Sequence, residues 1–147
     1  MEMAIVAVCC VLLLILTTVV HYEVLRLVSF GLPLVRIPSR AKPLVVVFSA
    51  FAAHAVEIFL YGAAFYGLAR LLDVGALAGA DLTFETCLYF SAETFTSLGF
   101  GDLVPRGSLR LLAGVETLNG LLLIGWSAPF LYIAMERFWN EARKTSS

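Results

Sequence analysis

Charge is scarce in this sequence. Of 147 residues only 14% are Asp, Glu, Lys or Arg, and they nearly cancel to a formal net charge of −1. Soluble domains carry about a quarter of their residues as charges, so a water-soluble globule is disfavoured and no nucleic-acid partner is expected. There are three cysteines. Cys9 and Cys10 are adjacent, which disfavours a disulfide between them, Cys87 stands far away, and no metal-ligand spacing is present. No His-Glu-x-x-His or comparable catalytic spacing occurs, so an enzyme is not expected. Arginine never recurs at every third position, which argues against a voltage sensor of the usual kind. Internal repeats and low-complexity stretches are absent too. What abounds is apolar: 61% of residues are hydrophobic and the mean hydropathy is +0.93.

These apolar residues are gathered into bilayer-length runs. Residues 4–20 hold no charge, and the apolar character continues with interruptions to Phe30. At ~1.5 Å per residue such a run crosses most of the hydrocarbon. A cleaved signal peptide fits poorly, because Glu2 stands where bases are expected and no small-x-small site follows. A second run, 44–72, is interrupted only by His54, Glu57 and Arg70, and a third, 109–135, carries Arg110 and Glu116. Between them residues 81–105 are too polar and too short to span. They read as a re-entrant hairpin, tolerated at membrane depth only where protein or a water-filled cavity surrounds it.

The expected fold is therefore an all-α integral membrane protein with three transmembrane helices and a re-entrant segment. Its parts are an N-terminal helix over 1–30, a basic linker 31–43, an outer helix 44–72, a re-entrant helix 84–96 followed by a loop 97–102, an inner helix 108–137 and a short tail 138–147. Arg26, Arg36, Arg40 and Lys42 surround the linker, and Arg137, Arg143 and Lys144 lie in the tail. By the positive-inside rule both face the cytoplasm. The N-terminus and the segment with Asp73, Asp81, Glu85 and Asp102 are then outside. Trp139 and Tyr22 suit the membrane interfaces. The basic linker reads as an ordinary positive-inside loop rather than a lipid-binding patch.

The informative stretch runs from Tyr89 to Pro105. Its first half is a short helix from about Phe84, capped by Thr83 or Asp81, with Glu85 favourably placed in the first turn. Its second half cannot be helix. Gly99 and Gly101 alternate with apolar residues, and glycine permits the left-handed backbone that lets consecutive carbonyls point the same way.

Ser97-Leu98-Gly99-Phe100-Gly101-Asp102 resembles the selectivity filter of the tetrameric potassium channels, whose usual form is Thr-Val-Gly-Tyr-Gly-Asp. The likeness extends to Glu93, where many members keep a carboxylate behind the filter, to Pro105 at the outer mouth, and to the flanking helices. It covers about residues 44–137, which it implies to be a pore domain, and leaves the first span outside. It implies a homotetramer in the lipid bilayer, with monovalent cations as partners and no cofactor other than potassium ions held by Ser97, Leu98, Gly99 and Phe100. The carbonyls of that ring would replace the hydration shell of the ion, with Gly101 completing the filter. Four helix C-termini near Phe95 would favour a cation in a central cavity. The alternative reading of the same residues is an external glycine-rich turn.

Three departures from the usual filter stand out. Ser97 replaces threonine, Leu98 replaces valine and Phe100 replaces tyrosine, losing a hydroxyl that in many relatives bonds a tryptophan of the re-entrant helix. Tyr89 and Phe90 occupy the tryptophan positions here, so the cuff around the filter rests on packing more than on hydrogen bonds. A filter that closes or loses selectivity readily is expected. The resemblance also brings Glu93 and Asp102 together, and two close carboxylates should share a proton; the plainer reading has Glu93 bonded to backbone amides.

In the inner helix Gly120 lies near the hinge glycine of the family, Pro129 should bend the helix one turn earlier, and Gly114 and Gly125 suit close helix packing. Phe130, Ile133 or Tyr132 would narrow the cytoplasmic mouth, and apolar constrictions gate by dewetting. His54, Glu57 and Glu116 sit within spans, where charge is costly. His54 and Glu57 share a helix face; His21 and Glu23 lie nearer the cytoplasmic end of the first span. The group is either a proton or metal sensor or a packing cluster. No ligand-binding cytoplasmic domain is expected after Arg137. The leading expectation is a potassium-selective tetrameric channel in a plasma membrane, such as a bacterial inner membrane. The alternatives are a weakly selective cation channel and a non-conducting sensor or accessory subunit.

Overall fold

The computed structural model of the chain describes residues 1–144. Residues 145–147, the end of the expected tail, lie outside the described residues, as do the side chains of Arg40, Arg143 and Lys144. The elements in order are α1 (Glu2–Gly31), α2 (Lys42–Leu71), β1 (Leu77–Ala78), α3 (Phe84–Phe95), β2 (Val104–Pro105) and α4 (Leu109–Lys144). Three of the helices are long and apolar enough to cross a membrane: α1 extended to Leu34, α2, and Leu109–Asn140 of α4. The architecture is all-α, with α3 as the short helix between the second and third spans.

Each boundary has a local cause. Pro43 sits in the first turn of α2, where its missing N–H costs nothing, so the helix starts at Lys42. The hydroxyl of Thr83 accepts the backbone N–H of Thr86 and caps α3, and Glu85 follows in its first turn. At the other end α4 does not stop with the apolar run. It continues from 138 to Lys144, through the stretch read as a tail, because Asn140–Glu141–Ala142–Arg143–Lys144 is rich in good helix formers. Pro129 lies inside α4 and the helix runs on through it.

The first span packs on both α2 and α4. Its buried residues, Val6, Cys10, Leu13, Thr17, His21 and Leu25, recur every third or fourth position and form one seam. Val6, Cys10 and Leu13 join Tyr61 and Phe65 of α2, Cys87, Phe90 and Phe95 of α3, and Leu109, Leu112 and Leu123 of α4 in the main core. A second cluster, Leu32, Val46 and Phe138, closes the end of the bundle that carries the basic linker, where Lys42 Nζ stands 5.1 Å from the Phe138 ring centroid. Most of the remaining large apolar side chains face outward, as lipid-facing helices require.

The residues between α2 and α3 fold back over the loop that follows α3. β1 pairs antiparallel with β2, Leu77 opposite Pro105 and Ala78 opposite Val104. Arg106 N–H donates to the Ala76 carbonyl at 2.8 Å and Ser108 N–H to that of Val74 at 3.0 Å, extending the clasp to the start of α4.

Candidate functional site

The backbone after α3 turns sharply and then alternates in handedness. Ser97, Gly99 and Gly101 all have positive φ, of 59°, 53° and 81°, whereas the intervening Leu98 and Phe100 do not. Alternation of this kind turns successive carbonyls toward one side of the strand, and a side chain at Ser97 makes that position strained, by roughly 1–2 kcal/mol. The end of α3 holds the turn: the Glu93 carbonyl accepts from Leu98 N–H at 2.8 Å and Gly99 N–H at 3.3 Å, and the Thr94 carbonyl from Ser97 N–H at 3.0 Å. The outer edge of the loop is bare in the single chain, with Leu98 58% and Phe100 65% exposed.

The other edge of the loop is braced. Glu93 is buried, and its Oε2 accepts the Phe100 N–H at 3.3 Å. Tyr89 donates its hydroxyl to Asp102 Oδ2 at 3.0 Å, while Asp102 Oδ1 accepts the Leu103 N–H at 3.1 Å. Tyr89, Glu93 and Asp102 thus tie α3 to both halves of the loop. Phe90 takes no part in that bonding; it packs edge-on against Phe65 of α2, centroids 5.0 Å apart. Burial raises the Glu93 carboxyl above the ordinary carboxylate range; the nearby Asp102 pushes it further, and the Phe100 N–H pulls part of the way back.

A carboxyl raised on folding stabilises the fold below the ordinary carboxylate range, and that contribution is lost as pH rises through its raised value. The Glu93→Gln chain keeps the shape and removes the titration. Its unfolding midpoint should flatten against pH across the acidic range, while the parent loses stability as pH rises there; matching pH profiles would exclude Glu93 as the group responsible.

Gly79 was not singled out by the sequence, yet it lies against this site. It has φ +123°, and a Cβ on it would run into the Asp102 carbonyl. Gly120 of α4 is likewise pressed against the Phe95 carbonyl at the end of α3. The hinge assignment therefore has a competing cause at that residue: glycine is required there for a close approach of backbones. Gly114 and Gly125, read as packing glycines, have nothing within 4 Å of a Cβ in the protomer. Phe130 packs against the Leu32–Val46–Phe138 cluster, and Tyr132 and Ile133 are exposed.

The buried polar residues of the spans fall into separate groups. The Ser91 hydroxyl lies between Glu116 Oε1 and the Ile58 carbonyl, 2.8 Å from the latter, with one hydrogen for the two, and Glu116 Oε2 has no partner among the described residues. Asn119 donates to Thr17 Oγ1 at 2.7 Å and to the Tyr61 hydroxyl at 3.1 Å, joining α4, α1 and α2. His54 and Glu57 are joined not by Glu116 but by His21, whose Nδ1 lies 2.9 Å from Glu57 Oε1. Glu23 stays on the surface with Arg26. Sequence reasoning missed the pairing of His21 with Glu57; the one available signal was that Thr17 and His21 stand a turn apart on the same face.

A protein-family model described as "Ion channel" matches residues 44–137. No curated protein and no solved structure matches the chain.

Proposed function

Since this chain belongs to the ion channel family, we propose that four copies surround a common axis and conduct monovalent cations, potassium in preference to sodium, through the carbonyls of Ser97, Leu98, Gly99 and Phe100. The observation that carries this reading is the alternating handedness at Ser97, Gly99 and Gly101, which supports a carbonyl-lined strand. The exposed edge of that strand supports assembly, because one chain supplies a quarter of a ring. The C-terminal end of α3 brings partial negative charge below the strand and favours a cation there. The charge pattern supports an orientation with the N-terminus outside and the C-terminus cytoplasmic, in a plasma membrane.

Flux into vesicles carrying the full chain tests the proposal. Rapid potassium flux with little sodium flux is expected; comparable fluxes support a weakly selective channel, and no flux from a verified tetramer leaves an accessory subunit. A stable monomer in both mild detergent and lipid would sink the channel readings together.

One observation favours weaker selectivity. The Phe100 side chain has no polar atom with which to bond α3, where the Tyr89 hydroxyl gives its hydrogen to Asp102 and keeps an oxygen able to accept, while Phe90 packs on Phe65. The loop is held at that level by the single Glu93–Phe100 backbone contact and by packing. Phe100→Tyr should slow the decay of current and raise the potassium-to-sodium ratio; an unchanged time course and ratio would remove this reading.

A further inference from the structure

The first span lies outside the family match, yet it reaches the two spans of the matched region through a buried ring of four polar side chains. Glu57 of α2 stands at its centre, with Oε1 2.9 Å from His21 Nδ1 of α1 and Oε2 2.8 Å from His54 Nδ1 of its own helix. The imidazoles stack, centroids 5.1 Å apart, and their Nε2 atoms converge on Ser127 Oγ of α4 at 3.2 Å each. His21 and Glu57 are fully buried and Ser127 nearly so; His54, 19% exposed, is the member open to the outside of the bundle. Trp126 flanks His21 and the Phe95 ring flanks His54.

The hydrogens of this ring do not add up when both imidazoles are neutral. A carboxylate only accepts, so each ring must give its single hydrogen to Glu57 through Nδ1. Both Nε2 atoms then face Ser127 as acceptors, and a hydroxyl has one hydrogen for the two. One buried acceptor is left over, a state proteins avoid.

A metal ion removes the shortage. Bound by both Nδ1 atoms and Glu57, it takes the place of the two Nδ1 hydrogens. Each neutral ring then carries its hydrogen on Nε2, the two lone pairs of Ser127 Oγ accept both, and the hydroxyl hydrogen of Ser127 must turn to a carbonyl of the preceding helical turn; each metal-bound imidazole has the outer hydrogen-bond acceptor that fixes its tautomer. One ligand atom from each of His21, His54 and Glu57 already lies within 4.8 Å of the other two. Bonds of about 2.0–2.1 Å in a tetrahedral centre space ligand atoms about 3.3 Å apart, so small side-chain rotations suffice. Two imidazoles and one carboxylate suit zinc, cobalt, nickel or copper(II) rather than magnesium or calcium, and the thiols of Cys9 and Cys10 stand three turns away on α1. With three protein ligands a fourth position stays open, and an anion there brings the buried centre to neutrality.

We infer that His21, His54 and Glu57 form an intramembrane binding site for one divalent transition metal of the zinc type, supported by Ser127. The ion clamps α1 to α2, and through Ser127 to α4 two residues before Pro129. The site makes the first span a ligand-dependent part of the proposed channel; that regulatory meaning rests on the channel reading, whereas the binding itself does not.

The experiment is cobalt titration of the chelator-stripped full chain in lipid nanodiscs, read by visible absorption and by metal content. Expected are one ion per chain, the intense bands of a tetrahedral centre, and displacement by zinc. His21→Gln and His54→Gln should each weaken binding at least tenfold, and Ser127→Ala by about 10–100-fold with the stoichiometry kept; circular dichroism checks that every variant is folded. Binding that persists in the chain lacking both histidines overturns the site. So does a folded parent that takes up no cobalt, and the histidine nitrogen spectrum then tells whether an extra proton closes the ring instead. Ion flux enters none of these readouts, so failure here and failure of the channel reading are distinguishable.

Discussion

The Gly120→Ala chain should be recovered poorly folded and should conduct little or nothing. A methyl at position 120 is directed at the Phe95 carbonyl, with the Phe95 ring close behind. The obstacle is backbone, so no rotamer change relieves it; α3 must move away from α4, and the loop that begins two residues later moves with it. Overpacking of this kind costs about 1–3 kcal/mol, and a backbone obstacle belongs at the upper end. At 1.4 kcal/mol per decade, ~3 kcal/mol lowers the folded-to-unfolded ratio more than a hundredfold. Denaturant titration in detergent, followed by vesicle flux, measures both losses. Gly114→Ala and Gly125→Ala provide the contrast: neither meets an atom within 4 Å, and alanine favours the helix by up to about 1 kcal/mol. A Gly120→Ala chain with the parent's midpoint and flux would show that the contact is not needed and would return Gly120 to the hinge assignment.

Gly79→Ala should spare the helices and damage the loop. Its φ of +123° is available almost only to glycine, at a cost of roughly 1–3 kcal/mol for any other residue. The added methyl also runs into the Asp102 carbonyl. Relief requires Asp102 to shift, which breaks or stretches its bond from the Tyr89 hydroxyl and unties the outer end of the loop from α3. The expected outcome is unchanged helical content by circular dichroism with at least a tenfold loss of potassium flux, or a sodium leak that the parent lacks. Parent-like flux and ion preference in a well-folded Gly79→Ala protein would mean that the outer clasp does not shape the loop.

The two glycines also mark how far the sequence could be read. The three spans are legible because long apolar runs have few other physical solutions, and α3 because Thr83 and Glu85 announce its start. Tyr89, Glu93 and Asp102 stand within the motif itself, so their proximity follows once the loop doubles back on α3. Gly79 stands in a plain turn between α2 and α3, and nothing local distinguishes a glycine needed for its φ from one that is merely tolerated. The pairing of His21 with Glu57 depends on the axial register of α1 against α2, which one sequence does not encode in any periodicity. Gly120 was singled out for bending, while the geometry supplies close approach; a glycine inside a helix looks the same in either role. The two-residue β1 and β2 are too short to leave any alternating pattern.

The seam of α1 has a mechanical consequence. Thr17 and His21, one turn apart, each meet a different partner set: Asn119 and Tyr61 at one level, Glu57 and Ser127 at the next. They act as two teeth of a key. A slide of one residue would turn both teeth toward lipid and cost Asn119 its bond to Thr17 and Glu57 its contact with His21, and within hydrocarbon each lost polar contact costs several kcal/mol. Only a full-turn step of about 5.4 Å brings a tooth back to the seam. The first span is thus indexed rather than sliding: it holds one position or moves by a whole turn, and any signal passed through it is discrete.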